Sequence, residues 1–212
     1  MRRVMLWTVV YALAMAFVEA AVVVYLRELT HGGPFADPAT AILPPHILAI
    51  EAAREASTIV MLVAVGWLAG RDLWERGLVF LLAFAIWDLA YYAWLWVLIG
   101  WPSSLLDWDV LFLIPVPWTA PVLAPVLASL ELVGGVAALL RLSARRERPA
   151  FTLGSVSAIL GGGLIVFGTF VVDFRAASQG RAPGEYHWAV FAVGLLLSGV
   201  GLAAAARPRM AS

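Results

Sequence analysis

Six stretches of the chain each hold about 20 mostly apolar residues, and shorter polar stretches separate them. They run over 4–26, 47–69, 78–100, 119–141, 151–172 and 187–206. At helical rise each is long enough to cross the ~30 Å apolar core of a bilayer. Between them lie "HGGPFADP", "GRDLWERG", "WPSSLLDWD", "ARRERP" and "QGRAPGE", rich in the Gly, Pro and charged residues that punctuate helices. The pattern predicts an all-α, polytopic membrane helix bundle of six transmembrane helices, a single integral membrane domain over 1–212 with the lipid bilayer as its surroundings. No internal repeat stands out, so an inverted-repeat transporter is not indicated.

The N-terminus has two features of a secretory signal, Arg2 and Arg3 before an apolar run and the small residues of "ALAMA". The apolar run continues through Val22, Val24 and Leu26, well past a signal's core, so a retained first span is expected. With the N-terminus in the cytoplasm, Arg2, Arg3, Arg71, Arg76, Arg141, Arg145, Arg146, Arg148, Arg207 and Arg209 all fall on that side. Arg27, Arg54, Arg175 and Arg181 lie on the other side or within the membrane. This positive-inside bias puts both termini in the cytoplasm, in a cell membrane of the bacterial inner-membrane type.

Composition agrees: 63% of residues are hydrophobic and 13% charged, against about 45–50% and about 25% in soluble domains. The absence of Cys removes disulfides, zinc–thiolate sites and thiol nucleophiles. A formal net charge of zero gives no nucleic-acid signature. No phosphate-binding loop, nucleophile elbow or haem-attachment motif is present.

Charge inside the spans changes the picture most. Glu19 lies roughly 10 Å from the outer end of span one by helical rise, and Asp88 and Glu131 roughly 18 Å from the outer surface. Glu51 and Glu55, at i and i+4, share a face of span two, and Arg54 is placed to pair with Glu51. Each of the first four spans thus carries a carboxyl between outer leaflet and midplane. Ionisable groups at such depth face the bundle interior and mark function. Asp88 has Tyr91 and Tyr92 at i+3 and i+4, with Trp87 beside it, so phenol donors and indole faces accompany the acid. Five acids against one Arg require either protonated carboxyls or a bound cation. Arg27 is expected to reach the lipid headgroups.

The segment 101–118 is expected to be an outer interfacial or re-entrant lid. Pro115 and Pro117 interrupt it, and Trp101, Trp108 and Trp118 suit an interface. A short helix over "LLDWDVLFLI", capped by Ser103 or Ser104, is expected within it. His31, His46 and His187 all map to the outer side; His46, a turn above Glu51, is the best candidate imidazole ligand. Gly154, Ala158 and Gly162 recur every fourth residue in span five, a face for a helix of this chain or of a partner docking on spans five and six.

Three functions fit. The first is binding or translocation of a cation, a proton or a divalent metal, with Glu19, Glu55, Asp88 and Glu131, and His46 for a metal, as ligands or relay groups. The second is a membrane enzyme of isomerase or cyclase type on a lipid-soluble substrate. Asp88, Glu55 and Glu131 would be its acid–base groups, and Glu19, Glu51, Arg54, Trp87, Tyr91 and Tyr92 its substrate-binding groups. The third is a non-catalytic subunit of a membrane complex.

Overall fold

The computed structural model describes residues 2–30, 44–145, 147, 149–181 and 183–207. His31, Arg146, Arg148 and Arg209 lie outside the described residues. The chain runs α1 (Arg2–Thr30), α2 (Pro45–Ala69), α3 (Leu73–Ile99), β1 (Trp108–Phe112), β2 (Trp118–Pro121), α4 (Leu123–Ala144), α5 (Leu153–Val171), a short α6 (Phe174–Ala177) and α7 (Trp188–Ala205). Five long helices, all but α2, have the length and composition to cross a membrane. They give the chain the build of a multi-pass membrane protein. α2 has 25 residues, but Glu51, Arg54 and Glu55 fall in its first half.

Local chemistry sets the helix ends. Asp72 caps α3 by accepting from the Glu75 amide at 2.9 Å. Gly100 ends that helix at φ 67°, a left-handed turn that a residue with a Cβ adopts only under strain. Thr152 and Ser155 form a reciprocal capping box at the start of α5.

Packing follows small residues. Ala12, Ala16 and Ala20, spaced one turn apart on α1, are fully buried, as are Ala83 and Ala85 on α3. Without Cβ branches, these faces let the helices approach closely. α5 and α7 meet more tightly still. A methyl group on Gly162 would stand 2.5 Å from both the Gly194 carbonyl oxygen and the Ser198 nitrogen. Gly162 is therefore part of an internal contact, whereas a methyl on Gly154 would meet only the Thr152 hydroxyl within 4 Å among the described residues.

The segment after α3 departs from the sequence expectation. Instead of a short helix, "WDVLF" and "WTAP" form an antiparallel hairpin, with Asp109 opposite Ala120 and Val110 opposite Thr119. Aromatic and β-branched residues favour the pleated form, and Pro115 and Pro117 fall in the connection, where no ladder donor is required. Ser103 does not cap a helix. Asp107 instead accepts from the Ser103 amide at 2.8 Å and the Ser104 amide at 3.1 Å. Strand β2 also takes the first residues assigned to span four, so α4 begins at Leu123.

Candidate functional site

The hairpin lines one side of a half-open cavity of about 600 Å³. Its walls come from the C-terminal part of α1, the first half of α2, the C-terminal half of α3 and the hairpin from Asp109 to Pro117. That volume lies within the roughly 300–1,000 Å³ of small-molecule sites.

One wall is charged. Glu19, 5% exposed, accepts from the Thr58 hydroxyl at 2.6 Å and forms an ion pair with Arg54. The same guanidinium donates through Nε to Glu51 at 2.9 Å. One cation thus bridges an acid of α1 and an acid of its own helix. Glu55 is turned toward the hairpin and accepts from the Leu113 amide at 2.8 Å. Asp88 accepts from the Ser129 hydroxyl of α4 at 2.8 Å. Asp109, on β1, accepts from the Tyr92 hydroxyl at 3.1 Å and stands 3.9 Å from Arg27.

The opposite character comes from aromatic and aliphatic groups. Trp87 packs beside Tyr91 at 6.3 Å between centroids and beside Phe112 at 6.1 Å. Tyr91 meets Tyr92 edge-on at 5.2 Å. Val23, Leu111 and Ile114 add to the apolar lining. Polar and apolar surfaces therefore share one half-open cavity.

Glu19, Glu51, Arg54, Glu55, Trp87, Asp88, Tyr91 and Tyr92 all line this chamber. Glu131 does not join them. Its Oε1 accepts from the Ser198 hydroxyl of α7 at 2.6 Å. The reason is helical angle: Ser129 faces Asp88, and two residues further the helix has turned about 200°. His46 is exposed on the first turn of α2 and His187 is exposed at the start of α7. Among the described residues, no group of three or more His, Asp or Glu is placed to hold a metal ion.

Two charged residues line the chamber that the sequence did not assign to it, Arg27 and Asp109. Arg27 is 2% exposed and stacks 4.0 Å over the Trp101 ring rather than reaching headgroups. Arg27 is seven residues from Ala20 and shares its helix face, but that Ala20 is buried is seen only in the structure. Asp109 comes from the hairpin, and without the strand pairing nothing marked it as inward-facing. No known family model matches the chain, and no curated protein or solved structure matches it.

Proposed function

We propose that this is a six-span membrane protein, both termini cytoplasmic, whose hairpin-covered chamber lies in the outer half of the bilayer and binds a lipid-soluble small molecule. The observation that carries this reading is the cavity itself: about 600 Å³ and lined in part by the hairpin, with charged groups from α1, α2 and α3 facing an aromatic wall. Such a mixture suits an amphiphile, whose two ends need different surroundings. The Arg excess on one side of the spans supports the orientation.

A cation has less support as the ligand. Glu19 and Glu51 share Arg54, and Glu55 is committed to the hairpin backbone. Glu131 points to α7, where it accepts from Ser198. Few carboxylate oxygens are left to converge on an ion.

Asp88 favours a second reading, acid–base catalysis on the bound molecule. It is only half-buried, it lines the chamber, and the phenols of Tyr91 and Tyr92 lie on its own helix face. A carboxyl beside phenols and an indole, facing the cavity, can donate or accept a proton at an alkene or carbonyl.

The experiment is extraction and mass spectrometry of molecules that co-purify with the protein from its host membrane, beside an Ala52→Trp variant that fills the chamber from α2. A molecule enriched about stoichiometrically with the wild type, and depleted at least five-fold in the variant, is expected. Identical lipid profiles for the two proteins would refute ligand binding in the chamber. A change in the molecule's structure, absent with Asp88→Asn, would establish the catalytic reading.

A further inference from the structure

Arg27 is a buried cation whose guanidinium makes no hydrogen bond among the described residues. It forms part of the chamber wall and is 2% exposed, yet none of its three guanidinium nitrogens has a hydrogen-bond partner among the described residues. The 3.9 Å from Nη2 to Asp109 Oδ1 is ion-pair range but beyond hydrogen-bond length. Both charges are held in place. Arg27 is stacked on Trp101, while Asp109 sits in the hairpin ladder opposite Ala120 and accepts from Tyr92. Trp87 Nε1 is a second donor without a partner among the described residues, on a residue of the same wall.

The acids stand differently. Glu19 and Glu51 close on Arg54, Glu55 on the Leu113 amide and Asp88 on Ser129. The buried side-chain groups of the chamber left without a hydrogen-bond partner among the described residues are therefore donors, and a buried charged donor calls for an acceptor.

We propose that the chamber's ligand is an amphiphile with one singly charged, oxygen-rich head, a carboxylate or a phosphodiester, and that Arg27 receives that head. The inference rests on the chamber being a site for a lipid-soluble molecule. A guanidinium presents a planar fork that matches either head through paired hydrogen bonds. Val23, Leu111, Phe112 and Ile114 offer apolar surface to the chain of the amphiphile. One charge on the head matches the one charge of Arg27; Glu19, Glu51, Glu55, Asp88 and Asp109 line the same space and oppose every negative charge brought in, so any beyond the one that Arg27 offsets is excluded.

The test uses the full chain in phosphatidylcholine nanodiscs at pH 9, with energy transfer from its tryptophans to cis-parinaric acid, its methyl ester and the matching alkyl amine. Partition into empty nanodiscs is subtracted. The acid is expected to bind at least ten-fold tighter than the ester, Arg27→Gln to remove that difference, and Arg27→Lys to retain part of it. Displacement by lysophosphatidylglycerol would identify a lipid phosphodiester as the natural head; failure to displace would identify a free carboxylate. Equal affinity for acid and ester, or preference for the amine, overturns the proposal while leaving the chamber as a binding site. Binding of none of the three overturns both. The wild-type series decides even where Arg27→Gln fails to fold.

Discussion

The Leu113 amide donates to both carboxylate oxygens of Glu55, at 2.8 and 3.1 Å. These residues lie 58 positions apart, and their bond fastens the hairpin connection to α2. An acid of the chamber wall thus also holds the chamber's cover. Backbone outside a helix is tolerated at membrane depth only where such partners satisfy it.

Removing that acceptor should loosen the cover locally. Glu55→Ala leaves a buried amide unmet, at about 1–3 kcal/mol, so hydrogen exchange across Leu113–Ile114 should accelerate about ten-fold or more. Glu55→Gln, which keeps a carbonyl acceptor, should accelerate it less. Unchanged exchange in Glu55→Ala would show that the bond does not restrain the hairpin.

Arg54 should matter more to stability than either acid it bridges. Arg54→Met leaves Glu19 and Glu51 without their cation. Breaking a fully buried pair costs on the order of 3–5 kcal/mol; because the Arg54 side chain is 22% exposed, we expect about 2–3 kcal/mol. Thermal unfolding in detergent would show the loss, and adding Glu19→Gln should restore part of it. A second substitution that lowers the melting point further would contradict the bridging role.

The α5–α7 contact predicts a contrast between adjacent glycines. Gly162→Ala places a methyl 2.5 Å from the Gly194 carbonyl and should cost about 1–3 kcal/mol as an overpacked contact. A methyl on Gly163 would meet nothing within 4 Å among the described residues, so Gly163→Ala should leave the melting point within about a degree or raise it slightly. Equal effects at both positions would mean that α5 and α7 do not meet through Gly162.

Because the chain has no cysteine, single introduced thiols report topology directly. Ser103→Cys, before the hairpin, should react with an impermeant maleimide in intact cells. Ala144→Cys, at the far end of α4, should react only after permeabilisation. Labelling of both from outside would rule out the six-span orientation.

The helices were legible because a run of about 20 apolar residues leaves a mark that no local detail erases. Glu19, Glu55 and Asp88 were legible for the complementary reason, that charge inside an apolar run is costly and must be turned inward. The depth of Glu131 was equally plain, but its direction was not. It depends on which face of α4 meets α3, and Ser129 holds that face. The hairpin was hidden because five residues with two neighbouring prolines carry too little periodicity to separate a strand from a distorted helix. With the hairpin unseen, Asp109 had no position, and Arg27 had no reason to remain inside.

Photo-crosslinking tests ligand binding in the chamber most directly. A diazirine-bearing fatty acid is irradiated with the protein in nanodiscs, and the modified residues are mapped by mass spectrometry. Binding in the chamber predicts saturable adducts concentrated on Trp87, Tyr91, Phe112 and the first half of α2, lost on competition with unlabelled fatty acid and in Ala52→Trp. Adducts confined to outward-facing residues such as Leu164 and Leu196, which are 69% and 70% exposed, and insensitive to competitor, would contradict it.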